Sequence, residues 1–246
     1  MLRSELVSYL ADFLALDQYK DYAPNGLQVE GKVEIKRIVT GVTACQALLD
    51  KAVELQADAI LVHHGYFWKS EPQEIVGFKQ KRIKTLLVND INLLGYHLPL
   101  DGHLELGNNA MLGKLWELED VTPLPGLVRL GRLAKPVPIN RFVERVSSSL
   151  NRPALHLPGG PNIVQTVAWC SGGAQNYIDQ AIEWRADVYV SGEVSEQTTH
   201  LAREASIHYL AAGHHATERL GIKTLGEHLA DKFNIECHFV DIDNPV

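Results

Sequence analysis

Short continuous apolar runs alternate with amphipathic helical stretches along this chain, and one such unit is written twice. Ile38-Val39-Thr40-Gly41-Val42 reads as a strand, Gln46 to Leu55 as a helix with Leu48, Leu49, Ala52 and Val53 on one face, and Ala59 to Val62 as the next strand. Later, Val167 to Cys170, Asn176 to Trp184 and Val188 to Val190 repeat that order. The two helices superpose: Asp50 to Asp58 and Asp179 to Asp187 agree at Asp, Ala, Glu, Ala and Asp. Runs this apolar mark strands buried on both faces of a largely parallel sheet. The pattern therefore predicts an α/β protein made of two related halves, residues 1–125 and 126–246, with the Pro/Gly-rich stretch Pro123 to Gly126 as the seam.

The remaining elements fit this plan. Leu2, Leu6, Tyr9, Leu10, Phe13 and Leu14 recur at helical spacing and open the chain with an amphipathic helix. Pro24 and Asn25-Gly26 mark a tight turn before a short strand at Leu27-Gln28-Val29. Arg82 to Val88 and Ala110 to Trp116 read as helices, and Leu93 to Tyr96 as a strand. The segment Pro158-Gly159-Gly160-Pro161 reads as a surface turn before the strand at Val167.

Composition narrows the functional class. With 246 residues and 46% apolar content the chain can build real cores. A net charge of −7 argues against a generic nucleic-acid binder. Cys45, Cys170 and Cys237 are scattered and form no CxxC, so free thiols in a reducing compartment are expected, and the cytoplasm with it. No apolar run approaches the roughly 20 residues of a membrane span.

The eleven histidines matter through their placement. His63-His64-Gly65 follows the strand Ala59 to Val62. Open α/β sheets place ligands at the carboxyl ends of their strands, where adjacent side chains are released from strict alternation. Taken alone, such a pair is more often two polar residues ending a strand, one of them buried and hydrogen-bonded. His97-Leu98-Pro99-Leu100-Asp101-Gly102-His103 leaves another strand, and Pro99 predicts an exit into a loop, where Asp101 alone could be an Asx-turn. In Gly213-His214-His215-Ala216-Thr217-Glu218, His214 and Glu218 stand four apart at a helix start and share a face. His97 to Asp101 and His214 to Glu218 echo one another as histidine, three residues, acid. Glu193 follows a further strand and could act as a general acid or base, or merely start a helix. Trp68 and Tyr66 could line a ring-binding wall, but more often such aromatics pack a core.

Together these segments change the balance. Each joins histidine to an acid or a second histidine after an apolar strand. Nitrogen and oxygen donors suit zinc, manganese, iron or similar ions. Five or six of them exceed the needs of one four-coordinate zinc and would serve two metals about 3.5–4 Å apart.

The strings Asn25 to Gly31, His63-His64-Gly65, Leu98 to Asp101, Ser191-Gly192-Glu193 and Gly213 to Glu218 resemble the GTP cyclohydrolase type-2 homologue family, also called Nif-three-like proteins. The resemblance covers essentially the whole chain. It implies two α/β parts packed together around a dinuclear metal site, in a toroidal homohexamer. It places the metal ligands on His63, His64, Asp101, His214 and Glu218, with Glu218 as bridge, and two divalent ions (Fe, Zn, Mn or similar) per chain. His97, His103 and Glu193 would support the ligands, with Glu193 and His97 as the candidates for catalytic proton transfer. The implied activity is a hydrolase using metal-activated water, with a purine nucleotide ring as the substrate suggested by the family name. No P-loop or Rossmann glycine string is present to cradle a triphosphate. The alternative is a ring-shaped metal-binding regulatory or interaction scaffold without catalysis.

Overall fold

The computed structural model describes residues 1–123 and 126–246, with only the backbone described at 120–123. Leu124 and Pro125, at the expected seam, lie outside the described residues. The chain divides into two compact units, residues 1–103 with 221–243, and residues 104–220 with 244–246.

The first unit opens with α1 (Arg3–Phe13), β1 (Gly26–Val29), β2 (Arg37–Thr43), α2 (Gln46–Glu54), β3 (Ala59–His64), α3 (Gly77–Val88), β4 (Asn92–Gly95) and a short α4 (Leu98–Gly102). The second carries α5 (Asn108–Leu115), β5 (Leu118–Pro123), β6 (Arg129–Pro138), α6 (Ile139–Ser149), β7 (Leu155–Leu157), β8 (Ile163–Cys170), α7 (Ile178–Glu183), β9 (Val188–Ser191), α8 (Thr198–Glu204) and β10 (His208–Ala211). The long α9 (His214–Phe233) begins in the second unit and ends in the first, where β11 (Glu236–Phe239) returns to the sheet. The first sheet runs β1-β4-β3-β2-β11 and the second β5-β6-β8-β9-β10-β7. In each, three consecutive strands joined through helices are parallel: β2, β3 and β4, then β8, β9 and β10.

The parallel strands at the centre of both sheets are buried as the apolar runs require. On the second, Val167, Trp169, Val188, Val190 and Leu210 join one core with Trp116 and Phe142, while Ala168, Tyr189 and Tyr209 join another with Ala181 and Ala202. On the first, Val39, Ile60, Val62 and Leu93 pack against Leu48, Leu49 and Ala52 of α2. Gly226 of α9 lies so close to Thr40 of β2 that a Cβ would stand 2.9 Å from the Thr40 methyl.

The written repeat is a structural one. Ile38 faces Ala59 across β2 and β3, and Val167 faces Val188 across β8 and β9. Both helices end through a residue of positive φ, Gln56 (+54°) and Arg185 (+55°). The next amide then closes the turn: Ala57 N–H donates to Ala52 O at 2.9 Å, and Ala186 N–H to Ala181 O at 3.0 Å. The matched aspartates do the same work twice. Asp58 Oδ2 accepts the amides of Lys36 (2.9 Å) and Arg37 (3.0 Å), and Asp187 Oδ2 those of Gln165 (2.9 Å) and Thr166 (2.8 Å). Asp58→Ala and Asp187→Ala strip acceptors from two amides each, which costs about 1–3 kcal/mol. Denaturant unfolding checks this, with the exposed Asp179→Ala expected within about 0.5 kcal/mol of wild type.

Two expectations need correcting. Pro99 does not lead into a loop: it sits in the first turn of α4, where a missing N–H is harmless and a fixed φ helps. The Pro158 to Pro161 segment is not a simple surface turn. Gly159 and Gly160 are half-buried, with no room for a Cβ against Ala202 O and Asp187 O, and His208 Nε2–H donates to Pro161 O at 2.9 Å. The antiparallel strands β5 and β6 and helix α6 had no counterpart in the sequence reading.

Candidate metal centre

In the first unit the carboxyl ends of β3 and β4 bring His63, His64 and His97 together. One ring nitrogen of each lies within 4.8 Å of the others. His63 is fully buried, and its Nδ1–H donates to Tyr96 O at 2.9 Å. A carbonyl only accepts, so the proton belongs on Nδ1 and the lone pair on Nε2. That Nε2 stands 3.5 Å from Asp101 Oδ2, on the buried face of α4. Two acceptors facing one another in a dry site call for a cation or a proton between them. His64 Nδ1 lies 3.2 Å from the Thr43 hydroxyl, and its ring is 4.5 Å from that of His63.

The segment Asp21 to Gly31 braces this end of the sheet. His97 N–H donates to Asn25 Oδ1 at 2.7 Å, and His97 Nδ1–H to Asp21 Oδ1 at 2.9 Å. Gln28 Oε1 accepts the Tyr66 amide at 2.7 Å and Gln28 Nε2 donates to Pro24 O at 2.8 Å. Its side chain occupies the space that a Cβ on Gly65 or Gly95 would need. Trp68 meets the His97 ring edge at 4.9 Å. Tyr66 is a core residue, its hydroxyl donating to Ala44 O at 2.8 Å. His103 caps α4 and lies 4.6 Å, ring to ring, from Phe13 of α1.

The second unit gathers His214, Glu193 and Glu218. His214 is the first residue of α9, and Glu218, one turn on, is 2% exposed. His214 Nδ1 lies 2.7 Å from Glu193 Oε1, and Nε2 lies 3.1 Å from Glu218 Oε2. Burial pushes the His214 pKa down, but hydrogen bonds and charge from Glu218, then Glu193, outweigh it and raise the pKa to about 9. The loop after β8 closes over this group. Gly172, at φ +66°, donates its N–H to Thr217 Oγ1 at 3.0 Å, and a Cβ there would overlap Glu218 Oε1.

Imidazole plus carboxylate in each unit is a donor set for zinc, iron or manganese, and the buried His63–Asp101 pair fits a cation by charge. The sequence echo of His97 with His214 is displaced by one residue in the structure. Tyr96 N–H bonds Val62 O and Ala212 N–H bonds Ser191 O, which aligns His214 with Leu98. The sequence reading missed the bracing of His97 by Asp21 and Asn25, which only the turn signal at Asn25-Gly26 hinted at. It also missed the Gly172-Gly173 loop, whose adjacent glycines after a strand were the available sign.

Known proteins resemble this chain along its whole length. The sequence profile of Duf34/NIF3 (NGG1p interacting factor 3) matches residues 1–245. A Yersinia pestis protein named GTP cyclohydrolase 1 type 2 homolog is 54% identical over 246 residues, all of both chains. A solved structure of protein ybgI, described as of unknown function, matches all of both chains with a TM-score of 0.97 at 52% identity. The structure of TTHA1606 from Thermus thermophilus does so with a TM-score of 0.94 at 35% identity. On a profile that spans nearly every residue and relatives similar from end to end, the chain belongs to the Duf34/NIF3 family.

Proposed function

We propose that the chain is a metal-dependent hydrolase in which His63, His64, Asp101, His214 and Glu218 hold two divalent ions, with Glu218 as the bridge. One observation carries the reading. In both units a histidine gives its Nδ1–H to an oxygen, Tyr96 O or Glu193 Oε1, and turns Nε2 to a carboxylate, Asp101 or Glu218. This is how protein oxygens orient metal-ligating imidazoles and raise their basicity. When bound, such ions supply Lewis acidity and lower the pKa of a nearby water toward neutrality. Glu193 and His97 are the groups placed beside the ligands to hold and move a proton. The relatives' name suggests a nucleotide as substrate, its ring opened by hydrolysis. A homohexamer belongs to the same proposal, and the exposed Val76 and Phe78 at the start of α3 offer apolar surface for self-association.

Protein stripped of metal and titrated with Zn²⁺, Mn²⁺ or Fe²⁺, then screened against nucleotides, tests the reading. Metal binding without hydrolysis of any nucleotide would leave a metal-binding scaffold. A pH series adds a sharper check. In metal-free protein the proton on His214 stays until about pH 9 and must leave for Nε2 to bind a cation. Affinity therefore rises about tenfold per pH unit between the ordinary imidazole value near 6.5 and about 9, then levels. The stability of the metal-free protein runs the other way. The imidazolium–carboxylate contribution is complete below about 6.5 and is lost as pH climbs through about 9.

A further inference from the structure

Asp21 is a carboxylate with a side chain only 3% exposed, and every partner it has is a donor. Oδ1 accepts from His97 Nδ1 at 2.9 Å and from the Ala23 amide at 3.0 Å. Oδ2 accepts from Asn25 Nδ2 at 3.0 Å and from the Leu98 amide at 2.9 Å. Burial pushes this carboxyl up, but the bonds from His97, Ala23 and Asn25 together win and hold it well below the usual range. The His97 ring is also gripped edge-on by Tyr22 at 5.1 Å and Trp68 at 4.9 Å, so its plane is fixed as well as its hydrogen bond.

We propose that Asp21 is a positioning residue that locks His97 in the Nδ1–H tautomer and so leaves Nε2 as the basic atom available toward His63 and His64. The inference rests on the reading of His97 as a proton-handling group and deepens it. An ionised carboxylate has no proton to give, so His97 must be the donor. Asparagine cannot replace it. Whichever way the amide turns, its NH₂ faces two donors, either His97 with Ala23 or Asn25 with Leu98. With its oxygen toward Asn25 and Leu98 the amide leaves one clash, with the Ala23 N–H, because the His97 ring can move its proton to Nε2; the other orientation leaves two, since Asn25 Oδ1 already holds the His97 amide and cannot turn. The histidine would then offer a donor where the site needs an acceptor.

Long-range ¹H–¹⁵N correlation spectra of metal-free protein read the tautomer directly. They are recorded at about pH 8, above the ordinary imidazole pKa, and His97→Gln assigns the signal by its loss. Wild type is expected in the Nδ1–H form, and Asp21→Asn with more than half of His97 moved to Nε2–H. Signals of His156 and His208, which belong to the other unit, should stay unchanged. A wild-type ring in the Nε2–H form, or one averaging between forms, overturns the proposal even if the variant does not fold. So does Asp21→Asn protein that keeps the Nδ1–H form. The readout involves no turnover, so a failure of the hydrolase reading leaves it intact, and its own failure leaves metal binding untouched.

Discussion

Glu218→Ala protein is expected to lose the proposed bridged metal pair: its affinity for Zn²⁺ or Mn²⁺ should fall by more than about 100-fold, beyond the 10–100-fold typical of losing an outer partner of a ligand. The reason lies in how completely the structure commits this carboxylate. Glu218 is 2% exposed on the first turns of α9, and its Oε2 is 3.1 Å from His214 Nε2. Alanine removes the carboxylate that faces His214 Nε2 and would meet a cation there, while Glu193 stays at Nδ1. Glu193→Gln is the informative contrast. It keeps every proposed ligand and loses only the carboxylate behind His214 Nδ1. Its affinity should fall about 10–100-fold with the number of ions bound unchanged. Equilibrium dialysis followed by elemental analysis separates the two outcomes. Asp101→Ala should lower the stoichiometry as Glu218→Ala does. Equal metal content in Glu218→Ala and wild type would remove Glu218 from the site.

Much of this site is visible in the chain because its donors obey local rules. His63-His64 sit where a run of buried strand residues ends, and His214 and Glu218 sit one helical turn apart. The repeated Asp-Ala-Glu-Ala-Asp pattern was legible for a similar reason. It encodes a helix, its positive-φ exit and a carboxylate that ties the next strand, all within ten residues. What stayed hidden depends on chain reversal. Asp21 is 76 residues from His97, and Gln28 is 38 from Tyr66, so neither role has a sequence signature beyond a turn. Strand β6 was missed because it is an antiparallel element with alternating burial, unlike the continuous apolar runs of its neighbours. Pro99 misled because proline ends one element and begins another equally well. The choice was settled by the Leu100 and Asp101 amides, both of which find His97 O.

Gly172→Ala should damage the same proposed metal site from the backbone side and cost stability as well. The residue is at φ +66°, where an alanine is strained by about 1–2 kcal/mol. It also cannot retreat. Its carbonyl accepts the amides of Gly192 (2.9 Å) and Glu193 (3.2 Å) and the Ser191 hydroxyl (3.2 Å), while its own amide is held by Thr217. The new methyl would overlap Glu218 Oε1 and press on His214 Nε2 at 3.1 Å. With the loop pinned, the Glu218 carboxylate must move, and a displaced carboxylate no longer meets a cation beside His214. The variant is therefore expected to lose metal affinity to nearly the extent of Glu218→Ala. Its thermal midpoint should drop by about 2–4 °C for each kcal/mol of strain. Gly77→Ala separates the two causes, because it has a similar φ of +59° and nothing within 4 Å of a Cβ. It should lose stability and keep its metal. If Gly172→Ala also kept full metal affinity, Glu218 would have room to reach a cation by another path, and the glycine would serve only the turn.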